Sequence, residues 1–181
     1  MNKVLKELIS LGFYILFVLC AVYFLVAFVG QRTEVKGESM ETTLSDGDNL
    51  IVDKLTYRFH DPERFDIIVF PFQYEEDTFY IKRIIGLPGE MVQIDEKGTI
   101  YINGEALQES YGREIIKPEY IGIASEPIIL GEDEYFVMGD NRNNSKDSRT
   151  VVVGNIHRDD ILGRAWLRIW PLSEFGIVQH Q

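Results

Sequence analysis

A long apolar run near the N-terminus constrains this chain more than any other feature. Residues 8–30, LISLGFYILFVLCAVYFLVAFVG, contain no charged side chain. As a helix that rises about 1.5 Å per residue, such a run is long enough to cross the hydrocarbon core of a bilayer. The apolar core of a cleavable signal peptide is shorter, at about 7–15 residues. We therefore predict a retained transmembrane anchor over residues 8–30, and a cleavable signal peptide remains the alternative.

The charges beside this run predict its orientation. Lys3 and Lys6 precede it, and cytoplasmic flanks carry an excess of Lys and Arg. Arg32 and Lys36 lie beyond its other end, so the charge bias is small. We predict that residues 1–7 are cytoplasmic, that the chain crosses the plasma membrane once, and that residues 31–181 form a domain on the outer face.

The composition excludes several classes of site. The chain carries 18 basic and 29 acidic residues, a net charge of -11, whereas nucleic-acid binding requires a clustered basic surface. The single cysteine, Cys20, cannot form an intramolecular disulfide. His60, His157 and His180 are scattered and belong to no metal-binding motif,. We expect no nucleic-acid partner, no metal and no cofactor.

Beyond the anchor, short apolar segments separated by turn residues predict a mostly β domain. Asn103-Gly104 is a strong signal for a tight hairpin turn,. Residues 108–130 are polar and mixed, so we expect an inserted β subdomain over roughly 91–134 on an antiparallel sheet. Besides the strand around Lys82, the predicted strands are 48–54, 65–70, 91–95, 99–102, 105–107, 134–138 and 163–170.

Two stretches of the domain suggest a nucleophile and a base. Ser39 lies within residues 37–44, shortly after the anchor, although most such serines are turn or helix-cap residues. Lys82 lies in an apolar strand. It could be an edge residue that reaches water, but burial would lower the pKa of its ammonium and make it a general base. A lysine base can activate a serine without any histidine.

A third stretch, residues 138–149, is dense in polar side chains. It does not match a calcium loop, because Arg142 occupies a position that requires an oxygen ligand,. A plain solvated loop is possible. The alternative is a hydrogen-bond and ion-pair network that fixes other parts of a site, formed by Asp140, Arg142, Ser145, Asp147 and Arg149.

Taken together and in this order, these stretches resemble the type I signal peptidases, or leader peptidases. These are membrane-bound serine endopeptidases that remove signal peptides from exported proteins. The resemblance covers the anchor, residues 37–44, 47–54, 80–90 and 139–149, and Gly163-Arg164. The short chain with one span is similar to the forms of Gram-positive bacteria.

The resemblance implies a Ser-Lys dyad that cleaves preproteins after an Ala-x-Ala site, near the bilayer and the export machinery. Ser39 would be the nucleophile, with its amide as an oxyanion donor, and Lys82 the general base. Ser145 would orient the lysine amine, and Asp147 and Arg149 would form a supporting ion pair. The pockets for small substrate residues would be lined by Val35, Met40, Leu44, Tyr80 and Ile81.

The sequence departs from the family pattern at two positions. Thr42 stands where a proline is usual, which loosens the predicted turn,. Gly37 stands where some members carry a hydroxyl residue that donates to the oxyanion. Two other functions are alternatives: a self-cleaving Ser-Lys repressor, which the anchor disfavours, and a catalytically silent membrane-anchored β domain in export or pilus assembly.

Overall fold

The computed structural model describes residues 3–24 and 30–180. Helix α1 covers Lys3–Phe24. Its segment Lys6–Tyr23 is long and apolar enough to cross a membrane by length and composition, and none of it is buried within the protein. The helix begins five residues before the predicted span. Residues 25–29 of that span lie outside the described residues, and Gly30 opens a strand.

The rest of the described chain is mostly antiparallel β-structure, which confirms the predicted fold class. Short 3-10 turns cover Thr56–Arg58, Pro118–Tyr120, Gly122–Ser125, Arg158–Asp160 and Leu172–Glu174. The strands are β1 Gly30–Glu34, β2 Asn49–Asp53, β3 Ile67–Pro71, β4 Phe79–Gly86, β5 Met91–Ile94, β6 Ile100–Ile102, β7 Glu105–Ala106, β8 Ile128–Ile129, β9 Glu134–Met138, β10 Ile156–His157, β11 Gly163–Trp170 and β12 Gly176–Ile177.

Within the described residues the strands form two sheets. The larger has the order β1-β2-β11-β3-β4-β9-β10, with β12 paired to β11. The smaller has the order β7-β6-β5-β8 and is built from the segment between β4 and β9. Strand β4 is internal: Lys82 pairs with Ile68 of β3, and Arg83 pairs with Met138 of β9.

Strand β4 contributes to three apolar clusters. Ile85 packs between the two sheets, Ile84 packs in a second cluster with Ile68, and Ile81 joins a third with Met40 and Leu44. Because the strand is buried from Ile81 to Gly86, both of its cations are withdrawn from water. The protein must therefore supply partners for Lys82 and Arg83.

Candidate active site

The turn that carries Ser39 is fixed by the apolar side chains that follow it. Met40 and Leu44 are 1% and 0% exposed. The amides of Thr43 and Leu44 both donate to the Met40 carbonyl at 2.9 Å, closing a compact turn. Gly37 has a φ of +87°, a conformation that favours glycine,. With the apolar residues pointing into the core, Ser39 remains half-buried at the surface of the turn.

Lys82 and Ser39 are in hydrogen-bond contact. Lys82 Nζ lies 2.7 Å from Ser39 Oγ and also donates to the Ile81 carbonyl at 3.0 Å. Only 4% of Lys82 is exposed, and β4 is an internal strand, so the edge-lysine alternative is wrong. Burial lowers the pKa of Lys82 to about 8, although Asp147 and Asp140 act in the opposite direction,. A substantial fraction of this amine is therefore neutral near pH 8.

The loop after β9 holds the serine turn through its backbone. Asn141 donates from its amide to the Ser39 carbonyl and from its side chain to the Glu38 carbonyl, both at 3.0 Å. Asn144 donates to the Glu38 carboxylate at 3.2 Å. A Cβ on Gly139 would lie 2.4 Å from the Ser39 carbonyl oxygen. The two segments meet too closely there for any side chain.

The ion pair expected between Asp147 and Arg149 is present and buried. The guanidinium donates to both carboxylate oxygens at 2.8 Å. Burial would raise the pKa of Asp147, but the hydrogen bond and charge of Arg149 outweigh it and lower that pKa,. Asp147 also accepts from the Gly139 amide at 3.0 Å, and Arg149 donates to the Tyr120 carbonyl at 2.9 Å. The pair thus fixes both ends of the loop.

Ser145 differs from what the resemblance implies. Its hydroxyl is buried and has no partner among the described residues, so a hydrogen bond to the Lys82 amine is not formed in this structure. The hydroxyl nevertheless lies near enough to Asp147 to help lower the pKa of that carboxyl. The Lys82 amine is held instead by Ser39 and the Ile81 carbonyl.

A second buried ion pair was not anticipated from the sequence. Arg83 donates to both oxygens of Asp140 at 2.8 Å, and both side chains are fully buried. Thr43 donates to Asp140 at 2.5 Å, which ties the serine turn to the same carboxylate. The signal available in the sequence was Arg83 itself, because a cation inside an apolar strand requires an anion.

The segment between β4 and β9 contacts the loop as well. Arg142 makes a bidentate pair with Glu109, at 2.5 and 2.6 Å. Asn143 accepts from the Lys117 amide and donates to the Ile115 carbonyl, both at 2.9 Å. Residues 108–130, for which the sequence predicted no strand, therefore hold the polar loop in place through these hydrogen bonds.

A groove of about 610 Å³ runs up to Ser39 and Lys82. Its two walls are residues 31–40 and 77–82. Val35, Met40, Tyr80 and Ile81 line it, whereas Leu44 is fully buried in the core and does not. The Ser39 amide donates to no described acceptor and remains available beside the groove. Residues 3–24 and 30–180 contain no group of three or more His, Cys, Asp or Glu side chains that could hold a metal.

Sequence comparisons decide the family. The family model described as "Signal peptidase, peptidase S26" matches residues 7–170. The chain belongs to this family. It is 41% identical over 157 residues to a probable signal peptidase I-2 of Synechocystis sp., covering 83% of this chain and 68% of that protein. It is 33% identical over 180 residues to the signal peptidase IB of Staphylococcus aureus, covering 92% of this chain and 88% of that protein.

Among solved structures, a signal peptidase I from Enterococcus faecalis matches with 35% identity and a TM-score of 0.47. That match covers 58% of this chain and 97% of the other. The membership in the signal peptidase family makes this chain a serine endopeptidase of the signal peptidase I type.

Proposed function

We propose that this signal peptidase is membrane-anchored and cleaves exported preproteins with Ser39 as nucleophile and Lys82 as general base. The observation that carries the assignment is the 2.7 Å contact between Ser39 Oγ and the buried Lys82 amine. A neutral amine at that distance can accept the hydroxyl proton directly.

Each proton transfer in the proposed reaction passes through Lys82. The neutral amine takes the Ser39 proton as Oγ attacks the scissile carbonyl carbon. The resulting ammonium then protonates the leaving amine of the mature protein, and an acyl-enzyme forms. The returned neutral amine activates a water that releases the signal peptide as a carboxylate. The Ser39 amide, which donates to no described acceptor, would donate to the oxyanion,.

The supporting residues keep the amine buried and oriented. The Asp147–Arg149 pair holds the loop against the serine turn. We propose that Ser145 orients the Lys82 amine during the reaction, because its buried hydroxyl lies beside Asp147, whose charge also acts on Lys82.

The groove walls favour small substrate side chains. Val35 and Met40 are 3% and 1% exposed, and Ile81 is 8% exposed, so the apolar floor is shallow beside the reacting atoms. We infer cleavage after an Ala-x-Ala pattern, because larger side chains would displace these buried residues.

Helix α1 supports the proposed location. Its apolar residues are exposed in the protein, so a bilayer is the environment that would cover them,. The β11–β12 region adds an exposed apolar surface that suits the interface of the same bilayer. That surface comprises Trp166, Trp170, Leu172, Phe175 and Ile177. We place residues 1–7 in the cytoplasm and the peptidase domain on the outer face of the plasma membrane, beside the export machinery.

The test uses the full chain in detergent and a precursor with Ala-x-Ala before its mature start. Ser39→Ala and Lys82→Ala should abolish cleavage and remain folded, whereas the exposed control changes Ser110→Ala and Lys97→Ala should leave it intact. The new N-terminus of the product, read by sequencing, should lie just after the second alanine. If the wild-type protein does not cleave a precursor that a known signal peptidase cleaves, the catalytically silent β domain is the better explanation.

A further inference from the structure

The ladder between β3 and β11 is interrupted by a side chain. Gly163 pairs with Val69 and Arg164 with Ile68, and the next pair in register would join Ala165 to Ile67. The His180 imidazole lies there instead. Its Nδ1 accepts from the Ile67 amide at 2.9 Å, and its Nε2 lies 2.8 Å from the Ala165 carbonyl oxygen.

These two contacts assign the tautomer of His180. An amide N–H can only donate and a carbonyl can only accept, so Nδ1 is unprotonated and Nε2 carries the proton. The neutral ring therefore replaces one backbone pair of the sheet: its Nδ1 accepts from β3, and its Nε2 donates to β11. The charged and titratable groups around it are Asp66, which directly precedes β3 and whose carboxylate is 3.6 Å away, Arg164 of β11 and Arg83 of β4.

The backbone of the same residue reaches the active-site network. The His180 carbonyl accepts from Arg83 Nη1 at 2.8 Å. The same nitrogen donates to the Phe65 carbonyl at 3.0 Å, while the ring of Tyr111 lies 3.8 Å from the guanidinium carbon. These contacts direct the remaining donors of Arg83 toward Asp140.

Asp140 connects this arrangement to the reacting groups. Its side chain accepts from Thr43 in the serine turn. Its charge raises the pKa of Lys82, against the effect of burial. An Arg83 that kept its charge but lost its orientation would neutralise Asp140 less well, and Lys82 would then hold its proton more tightly.

We propose that His180 is a positioning residue for the Ser39–Lys82 site, whose ring locks the C-terminal segment between β3 and β11 so that its carbonyl fixes Arg83. This role rests on the proposed dyad. His180 does not line the groove, so its loss should act on the chemical step and leave substrate binding unchanged.

The test compares two substitutions of similar size in the full chain in detergent. The His180→Gln side chain keeps one donor and one acceptor, whereas the His180→Met side chain keeps no donor to the Ala165 carbonyl. For His180→Met we expect kcat to fall by about tenfold or more with KM unchanged, since small misplacements of reacting groups carry costs of this size. The acid limb of the pH–rate profile of His180→Met should move to higher pH. His180→Gln should retain most of the wild-type kcat and a nearly unshifted profile.

Matched controls separate this role from general destabilisation. His157 is an exposed histidine, so His157→Met should leave kcat, KM and the pH profile unchanged. Hydrogen exchange of residues 139–149 should accelerate in His180→Met and in neither of the other variants. If His180→Met does not fold, His180→Asn, whose shorter amide cannot reach both strands, replaces it.

Two outcomes are distinguishable. Wild-type kinetics and an unshifted pH profile in folded His180→Met would overturn the role of His180 while leaving the dyad intact. If the wild-type protein itself does not cleave the precursor, the proposed function is overturned.

Discussion

Arg83 and Asp140 meet through two hydrogen bonds of 2.8 Å with no exposure of either side chain. Removal of one partner leaves the other charge buried without compensation. We expect Asp140→Asn to lower the free energy of unfolding by about 3–5 kcal/mol, measured by denaturant titration of the full chain in detergent.

The control for this prediction is an exposed pair. Arg113 and Glu41 are 2.7 Å apart, with side-chain exposures of 45% and 29%. Arg113→Gln should lower the free energy of unfolding by no more than about 1 kcal/mol. Equal losses in the two variants would show that the Arg83–Asp140 pair is not what stabilises the site.

The lowered pKa of Lys82 predicts the pH dependence of cleavage. The reactive form is the neutral amine, so kcat/KM should rise with pH and reach half of its plateau near pH 8, where the pKa of Lys82 lies,. The measurement is the rate of precursor cleavage across neutral to alkaline pH. A profile that is flat over this range would argue against Lys82 as the base.

Gly139 should tolerate no side chain. A Cβ there would lie 2.3 Å from Ser145 Oγ and 2.4 Å from the Ser39 carbonyl oxygen, and the second atom belongs to the backbone. Gly139→Ala should push the polar loop away from the serine turn and reduce kcat by about 10²-fold. Gly176→Ala, which meets no atom within 4 Å, should have wild-type kcat. Comparable rates in the two alanine variants would contradict this prediction.

His180 should also make the fold sensitive to acid. Burial and the charge of Arg164 lower its pKa from 6.5 to about 4 in the folded protein. Between these values the unfolded chain binds a proton that the folded chain excludes, so stability falls as pH decreases from about 6.5 to 4,. His180→Gln should remove this component, on the order of 2 kcal/mol. Unfolding free energies of the two proteins at pH 7 and pH 5 measure it; an identical pH dependence would contradict the assignment.

The sequence predicted the elements whose pattern is local. Strands β2, β3, β4, β5, β6, β9 and β11 were predicted because each is apolar or alternating and is flanked by turn residues. Strand β7 has only two residues and was predicted from the Asn103-Gly104 turn before it,. Strands β8, β10 and β12 have two residues each, too few for any periodicity. Strand β1 is polar, GQRTE, and is defined only by its pairing with β2.

The residues of the candidate site also differ in whether a local sequence pattern indicates them. The structure brings Ser39 Oγ and Lys82 Nζ to 2.7 Å, and both residues were predicted, as nucleophile and base, from the resemblance to the type I signal peptidases. The partners of Arg83 were not, since Asp140 is 57 residues away and no local pattern connects them. His180 was assigned to no site because its contact with Ile67 spans 113 residues of sequence. Leu44 was assigned to the groove because it is apolar and close to Ser39, but the turn directs it into the core.

The short stretch of chain between Phe24 of α1 and Gly30 of β1 bears on where the proposed peptidase would cut a precursor. Gly30 begins the strand that contributes to one groove wall. Six residue steps span at most about 20 Å even when fully extended. With α1 in a bilayer, the proposed Ser39–Lys82 dyad would therefore be held within a limited height above the lipid surface. Among similar peptide bonds, only those at a matching distance from the end of the precursor's own apolar segment would then reach the site. The membrane would in this way select the bond that is cleaved.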